Sequence, residues 1–223
     1  MGTLYIVSTP IGNLKDITLR AIETLKSVDY ILCEDTRITG KLLYEYGISK
    51  KMIPLTDFNE AAKTPQLISD LIGGKNIALV SDAGTPLVSD PGFKLVREAL
   101  GKGLKIESIA GPTALISALT VSGKPTDKFL FLGYLSKKEG RRKELLEKIH
   151  RILHIVLLTV IIYESPYRLV RTLTDIKEIY GNIEIVICRE LTKLHEEVRR
   201  ENISESIQHF SKVQPRGELT IVF

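Results

Sequence analysis

Four short segments bring together residue types that could do chemistry, each where regular structure should break. Glu34-Asp35-Thr36-Arg37 places two carboxylates and a guanidinium side by side. Such a set either positions a polar substrate or closes a salt-bridged helix entrance with Thr36 as its cap. The stretch 81–92, SDAGTPLVSDPG, spends two Pro, two Gly and two Asp on a connection that about three or four residues would have made. A loop of that length is expected to bind something. Residues 8–14, STPIGNL, combine turn formers with a glycine that lets backbone approach a ligand. Gly111-Pro112-Thr113-Ala114 starts a helix with small residues, leaving free N–H groups and room for a ligand.

Several chemistries are missing. There is no GxxxxGK[ST] phosphate loop, no GxGxxG after the first strand and no GxSxG nucleophile elbow. The four histidines, at 150, 154, 195 and 209, form no HExxH, and the i,i+4 pair His150 and His154 lies near no Cys, so no metal site is expected. Cys33 and Cys188 each sit in an apolar run, as reduced core residues do.

The elements that must position these segments follow from hydrophobic period. Apolar runs at 4–8, 30–33, 52–55, 77–81 and 105–109 read as strands, and 16–27, 39–46, 65–72 and 93–100 carry helical spacing between them. That alternation predicts a largely parallel α/β sheet, and consecutive apolar positions such as Ile77 to Val80 predict burial on both faces. In such sheets ligands gather beyond the carboxyl ends of the strands, where all four segments fall. A polar, breaker-rich stretch at 121–128 predicts a boundary between domains 1–120 and 121–223. Beyond it, strands at 129–132, 155–163, 184–189 and 219–223 accompany helices at 141–153, 167–180 and 204–210. A charged edge strand at 196–200 would make the second sheet mixed.

Composition agrees with a globular fold: 43% hydrophobic, 26% charged, net charge +4. The longest apolar run, 155–162, is far short of the roughly 20 residues that span a bilayer. Without a targeting segment the expected location is cytoplasmic. Lys137, Lys138, Arg141, Arg142 and Lys143 form the densest positive cluster, either a solvated helix entrance or a phosphate contact.

These segments, together with Glu164-Ser165-Pro166-Tyr167-Arg168 and Arg189-Glu190-Leu191-Thr192-Lys193, form one signature set. Over nearly its whole length the chain resembles the tetrapyrrole-methylase-like (class III) S-adenosylmethionine methyltransferases, in particular the branch acting on ribosomal RNA. The resemblance implies a two-domain α/β tetrapyrrole methylase fold with an N-terminal parallel sheet and a C-terminal mixed sheet. It implies S-adenosylmethionine as cofactor in a cleft between the domains, usually within a homodimer, and no metal. The implied reaction is 2′-O-methylation of a cytidine in small-subunit (16S) ribosomal RNA, free or in the small ribosomal subunit.

By the same resemblance, Pro10, Ile11, Asp82, Gly84, Thr85, Val88, Thr113, Ala114 and Tyr163 would hold the cofactor. Glu34, Asp35, Arg37, Glu164 and Lys193 are the catalytic candidates, as base or as a cation steadying an alkoxide. Arg168, Arg189 and Glu190 would line the acceptor side, with Arg141 and Arg142 reaching RNA. Two departures stand out: Thr56-Asp57-Phe58-Asn59-Glu60 replaces the common His-x-His-Asn-Glu, and Tyr167 stands where His is frequent. A mechanism through those histidines is not expected. Longer members continue past the position of Phe223; whether the sequence is a natural short form or a shortened piece, weaker RNA binding is the expected cost of ending there. The alternatives are a same-fold methylase of a small tetrapyrrole and a non-catalytic RNA- or ribosome-binding module.

Overall fold

The computed structural model describes residues 1–223, which divide into two compact units, Met1–Thr113 and Ala114–Phe223.

The first unit is built on five parallel strands, β1 (Thr3–Val7), β2 (Tyr30–Cys33), β3 (Lys51–Pro54), β4 (Ile77–Val80) and β5 (Lys105–Ile109), in the order β3-β2-β4-β1-β5. Helices α1 (Leu19–Ser27), α2 (Thr36–Glu45), α3 (Glu60–Ile72) and α4 (Phe93–Gly101) connect them. Alternate residues of each central strand feed separate cores. Leu4, Leu32, Ile77 and Leu79 join Leu67, Leu71 and Leu95, while Ile31, Cys33, Ala78 and Val80 join Ala21, Leu25, Leu42 and Leu43. That is the two-faced burial expected of a parallel sheet.

The second unit has strands β6 (Phe129–Tyr134), β7 (Thr159–Glu164), β8 (Glu184–Arg189), β9 (Glu197–Asn202) and β10 (Leu219–Val222), ordered β6-β7-β10-β8-β9. Only β6 and β7 run parallel; the other pairs are antiparallel, giving the expected mixed sheet. Helices α6 (Glu139–Leu153), α7 (Leu169–Tyr180) and α8 (Ile203–Lys212) share one core with it.

The first unit ends at Thr113 rather than near residue 120, because α5 (Ala114–Ser122) packs on β7, β9 and β10. Its buried residues Leu115, Ala118 and Leu119 fall at helical spacing. The strand expected at 155–163 begins only at Thr159. Phe129 is the first β6 residue to pair, opposite Thr159, and Val222 pairs with Ile161. Residues 155–158 pair with no strand; Ile155 and Leu157 are 87% and 78% exposed, and Leu158 turns in against the core.

Candidate functional site

The carboxyl ends of β1, β4 and β5 are neighbours, and their loops are joined chiefly by backbone and hydroxyl groups. The amides of Thr9 and Gly84 each donate to the other's carbonyl, at 2.8 and 3.0 Å. Thr9 Oγ1 donates to the Ser81 carbonyl at 3.1 Å, and Ser81 Oγ to that of Gly84 at 3.0 Å. The hydroxyls of Ser8 and Thr85 share a hydrogen bond of 3.0 Å, and Thr85 Oγ1 also donates to the Pro112 carbonyl. Closeness here depends on missing Cβ atoms. One on Gly111 would lie 2.8 Å from Ser8 Cβ, and one on Gly84, at φ +81°, 3.3 Å from Ile11 Cγ2.

The loop 81–92 is also bent where L-residues resist bending. Leu87 and Ser89 hold φ of 69° and 70°, reversing the chain on either side of Val88. Such conformations cost about 1–3 kcal/mol each and persist where surrounding structure enforces them, commonly at ligand sites. Its far end is fixed by a residue outside the four segments. Glu60, 3% exposed, accepts from the Leu95 amide at 3.0 Å. It serves the first turn of α4, whose cap residue Gly92 has no side chain.

The Glu34–Arg37 segment joins this assembly, since the Asp35 amide donates to Asp82 Oδ1 at 3.0 Å. Asp35, not Thr36, caps α2, accepting from the Arg37 amide at 2.8 Å. The Arg37 guanidinium also pairs with it, and these hydrogen bonds hold the Asp35 carboxyl down at about 2. Arg37 itself is exposed. Glu34 differs: although it is exposed, partial desolvation by the surrounding protein, then the charges of Asp82, Asp57 and Asp35, push its carboxyl above the ordinary value.

In the second unit, Glu164, Leu219, Arg189 and Glu197 lie abreast across β7, β10, β8 and β9. Glu164, one of the catalytic candidates, is deeply buried. It is 1% exposed, with Oε1 accepting from the Ser165 amide and Oε2 from Thr172 Oγ1, at 2.7 and 2.5 Å. Arg168 pairs with it at 3.3 Å and donates to the Leu135 carbonyl. Arg189 is bound to Glu197 and to the Arg216 carbonyl.

Lys193 bridges Glu190 and Glu218 at 2.9 and 3.1 Å. Burial disfavours its charge, but those carboxylates outweigh burial and raise its pKa. It is therefore held as a cation. Burial likewise opposes the charge of Glu190, which the Lys193 and Glu218 hydrogen bonds restore, lowering its pKa. The Tyr163 hydroxyl accepts from the Leu115 amide at 3.1 Å, satisfying the first turn of α5, where Ala114 is partly exposed.

The basic cluster splits. Arg142 is 1% exposed and paired with Asp175, while its Nη1 donates to the Ser136 carbonyl, so it has no surface to offer a phosphate. Lys143 contacts Glu139, Glu178 and Asp175. Lys137, Lys138 and Arg141 remain exposed. A sequence signal for Arg142 existed: it stands at i, i+4, i+7 with Leu146 and Ile149, on the buried stripe of α6. Asp175 likewise lies among the buried residues of α7. For Leu87 and Ser89 there was none, since neither type announces positive φ.

No helix is long and apolar enough to cross a membrane, and no three His, Cys, Asp or Glu residues gather as a metal site would require.

The model for tetrapyrrole (corrin/porphyrin) methylases matches residues 3–206. Among curated proteins, the Thermotoga maritima ribosomal RNA small subunit methyltransferase I is 47% identical over 100% of this chain and 98% of its own. The Synechocystis protein of that name is 46% identical, over 100% and 78%, and that of Halalkalibacterium halodurans 44%, over 99% and 75%. Among solved structures, diphthine synthase aligns with TM-score 0.72 at 14% identity, over 100% of this chain and 90% of that one. Uroporphyrin III C-methyl transferase from Thermus thermophilus aligns at 0.71 and 16%, over 99% and 97%. These two show the fold alone.

Proposed function

The chain belongs to the tetrapyrrole methylase family, and from that premise we propose that it methylates small-subunit ribosomal RNA, at the ribose 2′ oxygen of a cytidine, using S-adenosylmethionine. The observation that carries the reading is the match, along essentially the whole chain, to proteins named for small-subunit ribosomal RNA methylation.

The first unit fits the cofactor. Its strand-end loops have a cradle that a Cβ on Gly84 or Gly111 would narrow, and a reversed backbone around Val88. Pro10, Ile11, Asp82, Gly84, Thr85, Val88 and Thr113 are the proposed contacts. When bound, the cofactor supplies an electrophilic methyl group on a sulfonium. Pre-set loops contribute by holding the donor oriented, the largest saving in a two-reactant displacement.

Of the five catalytic candidates, Glu34 is the one suited to take the 2′-hydroxyl proton. An exposed carboxylate raised by partial desolvation and neighbouring like charge is a better base than Asp35, which Arg37 keeps strongly acidic. Glu164 is buried and fully hydrogen-bonded, and Lys193 is held charged. Both act as scaffold in this reading. The substrate side is assigned to Lys137, Lys138 and Arg141.

The deciding assay transfers labelled methyl from S-adenosylmethionine to undermethylated small ribosomal subunits, followed by nuclease digestion. Label in 2′-O-methylcytidine is the expected result; label on a base, or only on a porphyrinoid, refutes the substrate. Calorimetric titration with no cofactor binding would remove the reading altogether.

A further inference from the structure

A pocket of about 460 Å³ lies at the strand-end edge of the second sheet, lined by Pro166, Tyr167, Gln214, Pro215, Arg216 and Gly217. None of these belongs to the proposed cofactor or catalytic set. Its volume falls in the range of roughly 300–1,000 Å³ that holds small-molecule-sized groups.

Both walls are held from behind by charged residues left without catalytic work. On one side, Glu164 accepts from the Ser165 amide, and the Arg168 amide closes a turn onto the Ser165 carbonyl, fixing Pro166 and Tyr167. On the other, Arg189 Nη1 donates to the Arg216 carbonyl at 3.3 Å. The Glu190 amide donates to the Glu218 carbonyl, and Glu190 Oε1 accepts from the Glu218 amide, each at 3.1 Å. A Cβ on Gly217, at φ +83°, would sit 2.1 Å from Glu190 Oε1, so the turn at 214–218 presses on that carboxylate.

The lining is unusual for a surface turn. Tyr167 is 85% exposed, and it shares the lining with two exposed polar residues, Gln214 and Arg216, and with the buried Pro215. A planar face, a cation and an amide with both donor and acceptor are what an unpaired nucleotide needs for its base plane, phosphate and base edge. A base inside a duplex has both faces covered by its neighbours and no free plane to stack.

We propose that this pocket holds one unpaired nucleotide of the RNA substrate, its base stacked on Tyr167 and its phosphate facing Arg216. The proposal rests on the RNA reading above and is tested by a readout that does not need methyl transfer. Binding of a short unpaired small-subunit RNA fragment is followed by fluorescence anisotropy, with the full chain and its Tyr167→Ala, Tyr167→Phe and Arg216→Gln variants.

Loss of one stacked base should weaken binding by about 5- to 150-fold in Tyr167→Ala. Tyr167→Phe should restore it to within about two-fold, because the ring face is what stacks. The salt slope should be unchanged in Tyr167→Ala and shallower by about 0.7 in Arg216→Gln. Calorimetric affinity for S-adenosylmethionine should stay at the wild-type value in all three. Unaltered RNA affinity in Tyr167→Ala, an equal loss in Tyr167→Phe, or a wild-type chain that binds no unpaired RNA overturns the pocket. A chain that binds RNA through Tyr167 yet transfers no methyl group overturns the methyltransferase reading and leaves the pocket standing.

Discussion

At the ends of β1, β4 and β5 the loops are joined through amides, carbonyls and hydroxyls, at distances only glycine allows. At the ends of β7, β8 and β10 the work is done by charges: Glu164 with Arg168, Arg189 with Glu197, and Lys193 between Glu190 and Glu218. The first arrangement makes a close-fitting surface that depends on shape. The second is a lattice in which each ion is solvated by another, so removing one member leaves its partner stranded. The two regions should therefore fail differently, one to added bulk and the other to lost charge.

The strongest test is Arg142→Ala. Asp175 would remain buried with its main cation gone, a change that typically costs about 3–5 kcal/mol. Thermal unfolding should shift down by about 10 °C or more for a unit of this size. Arg142→Met combined with Asp175→Leu should recover most of the loss, since the stranded carboxylate and not the missing pair is what destabilises. A single variant that melts within a degree or two of wild type would show that charge does not organise the second unit.

Gly84→Ala probes the other region at a smaller scale. At φ +81°, with Ile11 Cγ2 3.3 Å from the new methyl group, the left-handed backbone costs about 1–2 kcal/mol. That strain is common to free and bound chain, so thermal unfolding should shift down by several degrees; cofactor affinity by calorimetry should fall through the narrowed cradle, equally at low and high salt, because no charge has changed. A loss that appears only at low salt would mean that the first unit also holds its ligand electrostatically.

The same contrast explains what could be read from the sequence. Strands of the first unit were legible because consecutive apolar residues demand two covered faces, and the loop 81–92 because its composition excludes a helix or strand. Partners were not. Nothing local says that Arg142 meets Asp175, or that Glu60 reaches the Leu95 amide. Residues 155–158 read as strand from their apolar character alone, and what they lack is a neighbour, which is a property of topology. The resemblance names Glu164 and Lys193 as candidates by motif, whereas their burial and pairing, which decide what a charge can do, are visible only in the fold.

The smallest effect tests that last point within one helix turn. Five cations lie at residues 137–143, yet only Lys137, Lys138 and Arg141 are exposed, since Arg142 is buried and Lys143 sits among Glu139, Glu178 and Asp175. A cation already neutralised by carboxylates releases few counterions from RNA, so it should add little to the salt dependence of binding. Arg141→Ala should make the slope of log affinity against log salt shallower by about 0.7–0.9, with only a modest loss of affinity at moderate salt. Lys143→Ala, two residues away with the same formal charge, should leave the slope unchanged. Equal slopes for the two variants would mean that this region acts through its net charge, and pairing would then not distinguish the cations that reach RNA from those that hold the fold.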